Sequence, residues 1–222
     1  MTKPIQVAID GPAGAGKSSV AKVLAKRLNF IYLDTGAMYR AVTWYVLQKK
    51  ISFTDIAAIE QILPEIELQF SEDNEGKWLL YCNGQDISEE IRTAEVSNNV
   101  SAIAMMPKVR EEMVRQQQRI AANHNVIMDG RDICSTVLPE AQYKFFLTAS
   151  LEERARRRGA ELEAKGEVVD YEQLRREIAL RDEKDSQREV SPLKQAEDAM
   201  LIDTSDFDFS TVVEKLFSII TK

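Results

Sequence analysis

The sequence predicts an α/β fold built on a mainly parallel central sheet. Short β-rich apolar runs alternate with segments whose apolar residues recur every three or four positions. The first strand passes into the first helix through a glycine-rich loop. One stretch, 66–87, breaks the rhythm and reads as antiparallel. The chain has 222 residues, 44% hydrophobic and 29% charged, enough for one globular unit with a sizeable core and a small inserted lobe.

Ile5–Ile9 is the first strand, closing on Asp10-Gly11. Helix follows from Ser18 to Leu28, with Val20, Val23, Leu24 and Leu28 on one face. A second strand covers Phe30–Leu33 and a second helix Gly36–Lys49, where Trp44 and Tyr45 fit a core-facing stripe. In 66–87, Glu67–Phe70 and Trp78–Tyr81 flank a turn rich in Asp73, Asn74 and Gly76, and a further short strand follows Asn83-Gly84. Helices resume over 94–106 and 107–122, the second opening on Pro107. Asn125–Met128 and Lys144–Leu147 are strands, 151–164 and 171–187 helices, Met200–Ile202 a last strand and Thr211–Ile220 a closing helix.

Several classes are disfavoured. No run approaches the roughly 18 apolar residues of a membrane span, so no membrane partner is expected. The Met1–Ile5 start leads straight into a strand, with no visible targeting segment. Two cysteines, Cys82 and Cys134, form neither a disulfide framework nor a metal spacing, so a reducing cytoplasm is the expected location. A net charge of −7 argues against nucleic acid as a partner, and a single histidine, His124, against histidine triads and zinc. Nothing suggests an obligate oligomer; a monomer is expected.

The most specific feature is Gly11-Pro12-Ala13-Gly14-Ala15-Gly16-Lys17-Ser18, which satisfies G-x-x-x-x-G-K-[ST] between a strand and a helix. Its glycines let consecutive N–H groups turn toward phosphate oxygens, and the helix N-terminus adds partial positive charge. Lys17 would reach the β- and γ-phosphates and the Ser18 hydroxyl would ligate Mg²⁺, which makes Gly11 to Ser19 the expected ATP-binding stretch. Val126-Ile127-Met128-Asp129 ends an apolar strand in a carboxylate, which either caps a helix or stands near the same metal through water; paired with the loop, the second reading is favoured.

No N-K-x-D stretch is present to read guanine. A transferase must instead neutralise two facing polyanions, which calls for arginines on several elements. Of the 15 arginines, 8 lie between 151 and 188. Arg154, Arg157 and Arg158 share a helical face. In the next helix the apolar stripe of Leu174 and Ile178 continues onto Arg181, Asp185 and Arg188, so an inward face turns charged. An Arg181–Asp185 pair four residues apart would be the plain surface alternative.

Val7–Pro12 with the loop, Leu33-Asp34-Thr35-Gly36-Ala37-Met38-Tyr39-Arg40, Asp129-Gly130-Arg131-Asp132, Glu153-Arg154-Ala155-x-Arg157-Arg158 and Arg181-Asp182-x-x-Asp185-x-x-Arg188 occur in one order along the chain. Together they resemble the bacterial cytidylate kinases over essentially its whole length. The resemblance implies a P-loop nucleoside-monophosphate kinase fold that passes a phosphoryl group from ATP, with Mg²⁺, to CMP or dCMP. It implies a core of 1–62, 107–148 and 189–222, an acceptor-binding lobe of 63–106 with the β insert, and a lid at 149–188.

It further implies that Arg40, Arg131 and Arg188 clamp the acceptor phosphate, with Thr35 nearby. Ser101, Arg110 and Asp132 would read the cytosine edge, Arg181 and Asp185 the ribose. Arg154, Arg157 and Arg158 would close over ATP, Lys17, Arg131 and Arg188 completing the catalytic set. Cytosine offers an amino donor beside two acceptors, which a carboxylate, a hydroxyl and an arginine can match. One departure stands out: Cys134-Ser135 occupies the place of a family Gly-Thr, so a position expected to need positive φ carries a Cβ. Kinases for UMP, AMP, shikimate or a sugar, and a nucleotide-binding regulatory module, are the competing readings.

Overall fold

The computed structural model describes residues 3–73, 78–164 and 166–222; Met1, Thr2 and the turn residues Asn74 and Gly76 lie outside the described residues. The chain divides into two compact units, one drawn from Met1–Tyr32 and Ile120–Lys222, the other Leu33–Arg119. The second contains the 63–106 segment singled out in the sequence.

The central five-stranded sheet has the order β2-β6-β1-β7-β8, and all of it but Leu33 and Asp34 falls in the first unit. Its strands are β1 (Gln6–Asp10), β2 (Ile31–Asp34), β6 (Val126–Gly130), β7 (Tyr143–Thr148) and β8 (Met200–Asp203). β1 runs parallel to both β6 and β7, and β7 parallel to β8. Val7, Ala8, Ile9, Val126, Ile127 and Met128 are all fully buried. Such unbroken apolar runs are what strands covered on both faces require.

Helix α1 (Lys17–Leu28) buries Val20, Ala21, Leu24 and Ala25 and ends at Asn29, whose left-handed backbone (φ 55°) closes the last turn. It packs on β6 and on α8 (Phe209–Ile220), where the Arg27 guanidinium lies 3.9 Å from the centre of the Phe217 ring. Helices α6 (Leu151–Glu163) and α7 (Tyr171–Ser186) pack through Ala155, Leu174 and Ile178. They approach so closely that a Cβ on Gly159 would fall 2.3 Å from the Tyr171 ring.

In the second unit, α2 (Thr35–Gln48) starts where the Asp34 carboxylate accepts the Ala37 N–H at 2.8 Å, and packs against α4 (Ala94–Met105). Strands β3 (Leu68–Glu72), β4 (Trp78–Cys82) and β5 (Gln85–Asp86) form the antiparallel sheet that the broken rhythm predicts. Asn83 (φ 52°) and Gly84 (φ 81°) join β4 to β5, the positive-φ pair a two-residue hairpin needs. α5 (Pro107–Ala121) begins at its proline.

Besides the 3₁₀ turns Leu63–Glu65 and Glu90–Arg92, two elements are not anticipated by the sequence reading. One is the short helix α3 (Ile56–Ile62), capped by Asp55. The other is a single π turn, Ile133–Val137, directly after Arg131-Asp132. No helix among the described residues is long and apolar enough to cross a membrane.

Candidate active site

The loop between β1 and α1 adopts the conformation that its glycines permit. Gly11 (φ 146°), Gly14 (φ 76°) and Gly16 (φ 84°) all have backbones that L side chains rarely adopt. A Cβ on Gly11 would fall 1.8 Å from the Leu147 carbonyl oxygen, so the chain can pass β7 only with glycine there. Lys17, Ser18 and Ser19 open α1, with Lys17 turned inward and Ser19 exposed.

Lys17 is 5% exposed, and its ammonium donates to the Pro12 carbonyl at 2.7 Å. Burial, reinforced by the facing Arg131 guanidinium, brings its pKa down from 10.5 to about 7; Asp129 and Asp10 oppose that fall and Arg181 adds to it. Lys17, Arg131 and Arg181 thus act on one another within the unit, where an arriving polyanion would relieve their repulsion.

Asp129, at the end of β6, is almost fully buried. It accepts the Ser18 hydroxyl at 2.7 Å through one carboxylate oxygen and the Tyr32 hydroxyl at 2.8 Å through the other. Ser18 and Asp129 are hard oxygen donors side by side. A magnesium ion, which takes one or two protein oxygens and fills its other positions with water and phosphate, fits such a pair.

Among the arginines of α6, Arg154 is buried: it donates to the Ala149 carbonyl and the Ala13 carbonyl, both at 3.0 Å, and pairs with Asp182. Asp182 in turn accepts the Ala13 N–H at 3.3 Å. Both polar groups of one loop residue are therefore held by an arginine of α6 and an aspartate of α7. Arg157 is half-buried beside the loop, its Nη1 3.9 Å from where a Cβ on Gly16 would stand, and is fixed by Glu153 and Thr204. Arg158 is exposed and, among the described residues, pairs only with Glu161 three residues on. The shared face expected for the three arginines thus resolves into a loop support, a loop neighbour and a surface residue.

The charged stripe on α7 is also corrected in its pairing. Asp185 accepts from Arg131 Nε at 2.8 Å, both side chains being largely buried, whereas Arg181 is exposed. The inward charged stripe expected over Arg181, Asp185 and Arg188 is thus broken at Arg181, and the helix ends at Ser186, before Arg188; the alternative Arg181–Asp185 pair gives way to a guanidinium from another element. Arg188 is buried and donates to the Ser191 carbonyl at 2.9 Å. Asp132 is buried at the entry to the π turn.

Cys134 likewise departs from expectation. It sits inside the π turn and is not among the positive-φ residues. Its thiol points onto the sheet, 3.6 Å from the carbonyl oxygens of Ala8 and Phe145. The Cβ is accommodated because the position is helical. Burial pushes the thiol pKa far above its ordinary range, which removes it as a nucleophile.

In the second unit, Thr35 is buried at the start of α2, and Arg40 pairs with Asp34 at 3.0 Å. Ser101 is half-buried on α4. Arg110 is buried on α5, donating to the Ala104 carbonyl at 3.2 Å with its guanidinium 5.4 Å from the Tyr39 ring centre. Sequence reasoning assigned no role to Asp10, Tyr32 or Tyr39. Asp10 was visible only as the polar end of an apolar strand.

A phosphate loop on a parallel sheet, with a serine–aspartate oxygen pair at its base and buried arginines around it, defines a P-loop phosphotransferase. The family model described as cytidylate kinase matches residues 7–222. A cytidylate kinase of Bacillus cereus is 50% identical over 221 residues, covering 100% of this chain and 98% of that protein. One from a Geobacillus species is 50% identical over 222 residues, covering 100% and 99%. The chain belongs to the cytidylate kinase family. Among solved structures, an uncharacterized protein from Eubacterium ventriosum aligns over 99% of both chains at 14% identity with a TM-score of 0.55, a likeness of fold alone.

Proposed function

We propose that this chain transfers the γ-phosphoryl group of ATP to the phosphate of CMP or dCMP, giving ADP and CDP or dCDP. The observation that carries the reading is the full-length match to one family, joined to a phosphate loop whose geometry is complete. An oxygen of the acceptor phosphate forms the new bond to the γ-phosphorus as the bond from that phosphorus to the β,γ-bridging oxygen breaks. The attacking oxygen is already anionic, so no general base is needed, and catalysis is positioning and charge neutralisation.

The loop amides of Gly14 to Ser18 receive the donor phosphates, and Lys17 turns from the Pro12 carbonyl to the γ-phosphoryl oxygens. Ser18, and Asp129 behind it through water, would hold Mg²⁺, which when bound neutralises charge on the β- and γ-phosphates. Arg131 and Arg188 hold the acceptor phosphate together with Arg40. Asp132, Ser101 and Arg110 read cytosine, Thr35 supports the same end, and Asp185 with Arg181 takes the ribose. Arg154 acts by holding the loop, and Arg157 faces the phosphates from beside Gly16. The enzyme works on small molecules, as a monomer in the cytoplasm.

Incubation with ATP, Mg²⁺ and CMP should yield CDP and ADP in equal amounts by chromatography. ADP released without CDP would contradict the reading.

A further inference from the structure

Asp10 has no part in the chemistry described so far, yet its side chain is completely buried at the last position of β1, one residue before the phosphate loop. A carboxylate that far from water is costly unless its charge is answered by donors. Two are supplied: one oxygen accepts the Ile133 N–H and the other the Cys134 N–H, both at 2.8 Å. These are the first two amides of the π turn, whose later amides, Thr136 and Val137, return to the Asp132 carbonyl at 2.9 and 3.2 Å. β1 lies in register with β6 so that Asp10 stands opposite Gly130, immediately before Arg131-Asp132. Asp10 therefore ties the start of the donor loop to both sides of the Arg131-Asp132 corner, through strand pairing at Gly130 and through its carboxylate at Ile133 and Cys134.

We propose that Asp10 is a positioning residue: its bidentate bond to the Ile133 and Cys134 amides fixes Arg131 and Asp132 relative to the phosphate loop, and so sets the alignment of acceptor with donor. The inference rests on the acceptor roles proposed for Arg131 and Asp132. A tight turn built from a π-type ring has no intrinsic stability to keep its first amides in place, and such turns recur at functional sites. Burial pushes the Asp10 carboxyl up to about 6, the two backbone bonds holding it below where desolvation alone would leave it, so at neutral pH it is ionised and can serve both amides.

Asp10→Asn keeps the shape but presents an NH₂ group to one of the two amides. The expected result is a rise in the KM for CMP of about 10- to 100-fold, the range of a lost charge-assisted hydrogen bond. The KM for ATP should rise several times less than that for CMP, because the loop amides are untouched and Asp10 reaches Lys17 only as the weaker of its two neighbouring carboxylate charges. Asp10→Glu, which restores both acceptor oxygens, should recover much of the loss. Equal losses for both substrates, or an unchanged KM for CMP, would overturn the proposal.

Arg131→Ala, measured alongside, separates the two layers. If it raises the KM for CMP while Asp10→Asn does not, the positioning role fails and the acceptor reading stands; if Arg131→Ala leaves that KM intact, the acceptor reading itself fails. One measurement needs no variant. In the unaltered protein the Ile133 and Cys134 amide protons should exchange slowly with solvent in the absence of nucleotide, and fast exchange at both would remove the bond on which the proposal stands.

Discussion

Lys17 is the residue where structure and function meet most directly. Folding alone leaves its ammonium buried, facing Arg131, with a pKa of about 7. A bound triphosphate supplies the missing negative charge and must raise it. Between the free and bound values, nucleotide binding therefore takes up a proton, and affinity falls as pH rises above about 7. Calorimetry of ATP binding at pH 8, in buffers of different ionisation enthalpy, should report net proton uptake. Binding without proton exchange would mean that Lys17 does not face the phosphates. Lys17 itself was legible in the sequence because the motif fixes both its neighbours and its place on a helix. The partner of Asp185 was not: spacing along a helix reveals only local neighbours, and Arg131 lies on a different element. Asp10 was hidden for the same reason, its donors being backbone amides more than a hundred residues away.

At the scale of elements, α6 gives its arginines three different surroundings. Arg154 is committed to Ala13 and Asp182, Arg157 stands by Gly16, and Arg158 is exposed. Arg157→Ala should lower kcat by at least about tenfold with a smaller change in the KM for CMP, whereas Arg158→Ala should stay within about twofold, since an exposed i,i+3 pair is worth only tenths of a kcal/mol. Steady-state kinetics of the two variants check this, and equal effects would dissolve the distinction. The packing of α6 on α7 makes a second demand. Gly159→Ala sets a methyl group against the tip of the Tyr171 ring, which is partly exposed and can turn aside, so the clash should cancel the ~1 kcal/mol that alanine ordinarily adds to a helix interior. Urea unfolding should show a midpoint no later than that of the unaltered protein. Elements with strong periodicity were legible to within a residue or two, as β1, α1 and the Asn83-Gly84 hairpin show. The short helix α3 offers too little periodicity, and the π turn carries no sequence signal, because it is held by a side chain from another strand.

For the molecule as a whole, the central claim is that a phosphate-loop scaffold has been fitted to one base. Cationic groups around a phosphate loop accept many mononucleotides; discrimination has to come from buried polar groups that the wrong base leaves unpaired. Buried Arg110, tied to the Ala104 carbonyl of α4, and buried Asp132 are the residues to which that role is assigned. The most direct measurement is kcat/KM for CMP, dCMP, UMP, AMP and GMP with ATP in a coupled ADP-release assay. CMP and dCMP should exceed AMP and GMP by at least about a hundredfold, the scale set by unpaired polar groups in a base-reading site. Comparable values for AMP and CMP would contradict the account.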